Sequence, residues 1–305
     1  MIIKADTMNY DQPCIQFYQD HPHLHAAMDL AARVTVIATH FLGQPYVFEP
    51  LGEADEGIYS RLPLYRMDQF DCVTFVDTVL ALTHAPNFAQ FRKNILNIRY
   101  TNQQIDYTQR TDWFTDLEWN PHLQQLGYIK DTTLRIVDHH KKSLAQLAET
   151  VINKPAWYAQ KTLANLDLPQ LSTEHAQQRL AQLKAEGEKF TAQPSVLSYI
   201  PLTKLFDLEG RPDTALWAQL PKVAVIEIVR PNWRPVNPKD KSIDYGTHLN
   251  VSHIGIAIHT LTGVLFYHAA IGKTVMRLPL TDYLHSFLDD QRPAPVSGIH
   301  IEEIL

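Results

Sequence analysis

The sharpest amphipathic stripe in the chain begins at Cys72. From there the apolar residues fall at Phe75, Val76, Val79, Leu80 and Leu82, close to the i, i+3, i+4, i+7 spacing of a helix lying on a core. Asp71 is a preferred N-cap residue, which makes Cys72 the first or second residue of that helix. A similar pattern predicts a helix over about 24–42, opened by Asp20 and Pro22 and closed by Gly43. A third helix is expected from Phe88 to Ile98, with Phe88, Phe91, Ile95 and Ile98 on one face. Residues 44–71 form a loop-rich stretch holding Pro45, Pro50, Gly52, Gly57 and Pro63. Residues 99–133 are irregular and dense in aromatics, and 134–192 read as a helical insert, clearest over Thr173–Phe190.

From Pro221 the period changes from helical to two. Val223–Val229, His253–His259 and Gly263–Ala269 read as strands, the last two joined by Leu261-Thr262-Gly263, with Pro231, Pro235 and Pro238 in the preceding loop. Helices first and an antiparallel sheet afterwards predict an α+β architecture. A single domain over residues 1–305 is expected, with the insert inside it.

Composition narrows the function classes. With 305 residues and 45% hydrophobic content, the chain can bury a full core without disulfides. Its two cysteines, Cys14 and Cys72, exclude a disulfide framework and argue against a multi-cysteine zinc site. A net charge of -6 and a pI near 6.2 argue against nucleic acid or an anionic membrane as partner. No apolar run approaches the roughly 18 residues needed to cross a bilayer. The first six residues lack the basic stretch and apolar core of a secretory signal, so a cytoplasmic protein and a processed exported one are both compatible with this start.

The placement of Cys72 suggests chemistry. A thiol at a helix start meets unpaired backbone N–H groups and the positive end of the dipole, which favour thiolate and could receive an oxyanion. Such a nucleophile needs a base, and the base needs an orienting partner. Fifteen histidines are available, so geometry has to choose. If an even-numbered loop joins the strands carrying His253 and His268, the two side chains share one face as diagonal neighbours. An odd count would send them to opposite faces. On spacing alone, ordinary half-buried strand histidines are the commoner outcome.

Four segments carry a resemblance. Leu42-Gly-Gln-Pro-Tyr46, Phe70-Asp-Cys72, Ser252-His-Ile-Gly-Ile256 and Tyr267-His-Ala269 match, in order, the elements of the NlpC-type, papain-like cell-wall cysteine hydrolases. The match spans about residues 42–270. Cys72-Val-Thr-Phe-Val76 most resembles the N-acetylmuramoyl-L-alanine amidase-like branch, as do Arg110-Thr-Asp-Trp-Phe114, Trp119-Asn120, Gly127 and Asp131-Thr-Thr133. Asp112 stands where that branch has histidine. The resemblance implies a papain-like fold, with Cys72 as nucleophile, His253 as base and His268 as the residue orienting it. It implies Tyr46 beside the nucleophile as substrate contact or oxyanion donor. It also implies Arg110, Asp112, Trp113 and Phe114 near the substrate, with Arg110 suited to a substrate carboxylate.

The expected activity is hydrolysis of the N-acetylmuramoyl-L-alanine amide in peptidoglycan fragments through a thioester, with no metal or cofactor required and no obligate protein partner inferred. A γ-D-glutamyl-diamino-acid endopeptidase and a non-catalytic muropeptide-binding module are the alternatives. The substrate implies the periplasm or cell exterior. Two rival readings come from other residues. His21, His23 and His25 could hold a metal, though a solvated helix start fits better, and His139-His140 reads as a polar helix face. Asp112, Asp116 and Glu118 among Trp113, Phe114 and Trp119 could form a glycosidase carboxylate pair; an aromatic satellite core with surface acids is the simpler account.

Overall fold

The period-two runs after residue 221 build the centre of the molecule. In the computed structural model, residues 9–168, 171–236 and 244–305 are described; the first residues of the chain and Pro238 lie outside them. Among the described residues, eight strands join in one sheet. They are β1 (Ile129–Asp131), β2 (Gln146–Asn153), β3 (Ala192–Pro201), β4 (Val223–Trp233), β5 (Leu249–Thr260), β6 (Gly263–Ala269), β7 (Val275–Pro279) and β8 (Gly298–Ile304). The order is β2-β3-β8-β4-β5-β6-β7, with β1 also paired to β8 and all pairs antiparallel.

Both faces of the central strands are covered, which is why β4 reads as a nearly continuous apolar run. Val225, Ile254, Ile256 and Tyr267 share a core with the helices Leu30–His40 and Cys72–Thr83. Ala224, Ile226, Phe266, Ile299 and Ile301 pack on the other side with Leu202, Trp217, Leu280 and Leu284. Each fully buried aliphatic or Phe side chain contributes about 1.5–3 kcal/mol to this arrangement. The expected α+β class holds.

The Cys72 helix starts where capping chemistry places it. Asp71 accepts from the Thr74 N–H at 2.8 Å, and Thr74 Oγ1 accepts from the Asp71 N–H at 3.0 Å. This reciprocal box satisfies two of the backbone donors that a helix start leaves open. The helix expected over 24–42 is broken at Met28, whose backbone is extended; Asp29 then caps Leu30–His40 through the Ala32 N–H at 2.8 Å. The segment 134–192 is not purely helical. Thr173–Gly187 is a helix, but Gln146–Asn153 forms β2, paired along its length with β3 at the sheet edge. Ala148, Thr150 and Ile152 are buried while Leu147, Glu149 and Val151 are exposed, a period of two.

The β5–β6 hairpin settles the parity question. Thr260 pairs with Gly263, leaving the two-residue loop Leu261-Thr262, an even count. The same register sets His268 opposite Gly255, on the face that carries His253. A Cβ at Gly255 would lie 2.6 Å from the Phe266 ring, so glycine makes room there for the aromatic that packs beside the histidines.

Candidate active site

Backbone bonds gather the separated segments. The Val47 N–H donates to Phe70 O at 2.9 Å, and the Tyr46 N–H donates to Lys273 O at 3.0 Å. The Tyr46 loop is thereby strapped between the residue before Asp71 and the turn after β6. Trp119 ends a π-helical turn, Thr115–Trp119, and its Nε1 donates to Asp77 Oδ1 at 2.8 Å, tying the aromatic segment to the Cys72 helix.

Where these elements meet lies a cavity of about 510 Å³, and Tyr46, Cys72, Arg110, Asp112, Trp113 and His253 all line it. His268 stands behind His253, with His253 Nε2 2.7 Å from His268 Nδ1. Phe266 stacks on His268 at 4.9 Å, and Tyr283 lies 5.0 Å from His268 and 6.2 Å from His253 between ring centres. The histidines therefore sit in an aromatic box.

Burial dominates their titration. It lowers His253 to about 3, with His268 adding to the effect, and lowers His268 to about 4, helped by the charge of Lys273. Burial also pushes the Cys72 thiol up to about 12, seconded by the Asp71 carboxyl; the N–H groups of Ile254, Val73 and Cys72 pull the other way and lose. Asp71 itself is raised by burial to about 6 against the bonds from Thr74. Burial thus favours a neutral thiol beside a neutral imidazole pair, against the thiolate that the helix terminus favours. The partial charge of a helix dipole is too small to offset loss of water around a thiolate.

Other expected residues take different places. Phe114 does not reach the cavity: it is buried against Trp157, because its side chain serves a satellite core with Ile152 and Tyr158. Arg110 lines the cleft but is held by Glu53, its Nε 2.6 Å from Glu53 Oε1, so its charge is already compensated. Asp112 lies 4.0 Å from Arg99. Asp116 accepts from Ser195 and Asn250, and Glu118 pairs with Lys154, so these two acids serve the packing. His21 ends the helix Asp11–Asp20 with Nδ1 2.9 Å from Phe17 O, while His139 and His140 lie in a turn closed on Asp138. Phe48, Glu49, Trp157, Trp233, Tyr245 and Arg292 also line the cavity wall. Sequence reasoning missed them: Phe48 and Glu49 follow Tyr46 in the same loop without a motif of their own, and Trp157, Trp233, Tyr245 and Arg292 come from distant parts of the chain.

A protein from Legionella pneumophila str. Philadelphia 1, carrying the family model DUF1460, is 34% identical, with 97% of this chain and 96% of that one covered and a TM-score of 0.87. An N-acetylmuramoyl-L-alanine amidase from Bacteroides uniformis is 20% identical over 90% of this chain and 98% of that one, with a TM-score of 0.56, a likeness of fold. No curated protein matches the sequence closely enough to count as similar. The AmiA-like family model, described as N-acetylmuramoyl-L-alanine amidase-like, matches residues 36–288. The chain therefore belongs to the N-acetylmuramoyl-L-alanine amidase-like family.

Proposed function

We propose that this protein is a cysteine amidase of papain-like type that cleaves the bond between the muramoyl lactyl group and L-alanine in peptidoglycan fragments. The observation that carries the reading is that Cys72 and His253 line one cavity, with His253 held from behind by His268 at 2.7 Å. His253 Nε2 is engaged by His268, which leaves Nδ1 to take the thiol proton. His268 Nδ1 then acts as acceptor and fixes the His253 tautomer. Cys72 attacks the amide carbonyl as its proton moves to His253, forming the tetrahedral intermediate. His253 returns the proton to the departing alanine nitrogen, and water, deprotonated by the same imidazole, hydrolyses the thioester.

The oxyanion would be met by the Cys72 N–H and the Tyr46 hydroxyl. Burial pushes the Tyr46 phenol far up, so it stays a hydrogen donor throughout the working range. Family membership supports a peptidoglycan amide as electrophile. Such a substrate places the protein in the periplasm or outside the cell, and no helix among the described residues is long and apolar enough to cross a membrane.

Product analysis on a muramyl tetrapeptide and on the free tetrapeptide tests the bond. Release of a peptide beginning with L-Ala from the muramyl compound alone is expected. Cleavage after D-Glu in either compound would establish the endopeptidase instead. Cys72→Ala should bind the muramyl compound without turning it over; an active variant would end the cysteine mechanism.

A further inference from the structure

Lys161 is a buried charge that the reaction above leaves unused. The residue is 1% exposed, and its Nζ has no hydrogen-bond partner among the described residues. It lies instead 3.6 Å from the ring centre of Trp157 and 4.5 Å from that of Trp113, with Tyr245 and Tyr107 at 5.9 and 6.0 Å. Trp113, Trp157 and Tyr245 line the cleft, so the ammonium backs its aromatic wall. Trp113 Nε1 and the Tyr245 hydroxyl are likewise without partners among the described residues. Buried donors without acceptors are rare, and two on the cavity wall with a third behind it point to an oxygen-bearing ligand.

The charge balance says which kind. Arg110 is neutralised by Glu53, and Asp112 stands 4.0 Å from Arg99. Glu49 and Asp112 favour the charged form of Lys161 and Arg110 opposes it, while burial outweighs all three and brings the amine down to about 8. At neutral pH the group is still a cation, surrounded by rings and poorly screened by water.

We infer that the end of the cleft walled by Trp113, Trp157 and Tyr245 is a subsite for a free carboxylate on the peptide stem, with Lys161 setting the preference for an anion. The inference rests on the muramoyl-peptide reading and adds which stem is taken: one whose second residue keeps a carboxylate where others carry a carboxamide. The Trp113 and Tyr245 donors would hold the oxygens, and Lys161 would supply the charge from behind the wall.

Two compounds differing only there, N-acetylmuramoyl-L-alanyl-D-glutamate and N-acetylmuramoyl-L-alanyl-D-isoglutamine, test it. For the wild type at pH 7 the acid should be preferred at least about tenfold in kcat/KM, mainly through KM, which corresponds to about 1.4 kcal/mol. The ratio cancels titrations common to both compounds, and it should fall toward one as the pH passes 9. Lys161→Met should bring the ratio within about twofold at pH 7. A wild-type ratio near one, a ratio that ignores alkaline pH, or an unchanged ratio in a folded Lys161→Met would overturn the subsite. If that variant does not fold, the wild-type pH dependence decides. If neither compound is hydrolysed, calorimetric binding to Cys72→Ala separates the two ideas. Preference for the acid would keep the subsite while refuting the scissile bond, and equal or absent binding would overturn the subsite.

Discussion

Glu53 and Arg110 neutralise each other inside the cleft wall, 2% and 7% exposed, with Arg110 Nη2 2.5 Å from Glu53 Oε1. Tyr100 donates to the same carboxylate oxygen at 3.2 Å, and Arg110 lies 4.4 Å from the Tyr107 ring centre. Removing one partner leaves the other charge buried and alone. Glu53→Gln is expected to lower stability by about 3 kcal/mol in urea unfolding. Glu53→Met with Arg110→Met together should recover at least half of that loss. A single variant within about 0.5 kcal/mol of wild type would show the pair to be unimportant.

The pH dependence of turnover should reflect the neutral resting pair. Activity needs His253 unprotonated, and burial has moved its titration down to about 3. The acid limb of kcat/KM is therefore expected below about pH 4–5, with no inflection near the ordinary histidine value of about 6.5. Alkylation of Cys72 by iodoacetamide at pH 6 should be no faster than that of a model thiol, because the sulfur titrates near 12. A midpoint near 6.5, or rapid labelling at pH 6, would mean that an ion pair forms before substrate arrives.

Tyr46 separates packing from chemistry in one atom. Tyr46→Phe keeps the ring beside Asp71 and removes the proposed oxyanion donor. A fall in kcat of about 10²-fold is expected with KM little changed, the size seen when one such donor is lost. An effect confined to KM would instead make the hydroxyl a ground-state contact.

Stability should decline toward alkaline pH because of a buried network. His300 lies 2.9 Å from Glu302, and Asn120 donates to Glu227 at 2.9 Å on the neighbouring strand. Burial opposes the His300 charge, yet the Glu302 bond and the charge of Glu227 prevail and raise it to about 9. A group raised on folding binds its proton more tightly in the native state. Its contribution is complete below about pH 6.5 and is lost as the pH climbs through 9, at no more than about 1.4 kcal/mol per pH unit. Glu227, raised to about 7 by burial, has the same sign at lower pH. Unfolding free energies at pH 6, 8 and 9.5 should fall in that order, and His300→Gln should flatten the last interval. A wild-type profile that rises across this range would contradict the assignment.

The site was more legible in the sequence than the sheet that carries it. Asp71, Thr74 and the apolar stripe after Cys72 announce the helix start through local capping and period alone. The parity of His253 and His268 follows from a short turn between two β-rich runs. By contrast β8, which lies between β3 and β4, was missed because His300 and Glu302 point into a buried polar network and break the apolar alternation. β2 was hidden by the small or polar inward residues Ala148 and Thr150. Arg110 lines the cleft as its family resemblance implies, but its pairing with Glu53 was hidden because that partner is 57 residues away, beyond any local pattern. Lys161 and Trp157 lie far along the chain from Cys72, and only the folded chain shows them sharing a wall.

The two-residue tip at Leu261-Thr262 has a consequence for how this protein can vary. Leu261 is fully exposed and packs on nothing that the histidines need. Any pair of residues able to make the turn would preserve the His253–His268 bond. One inserted residue would not: the strands could still pair, but every side chain of β6 would rotate through the sheet and His268 would enter the opposite core. At this tip the identity of the residues is free and their number is not.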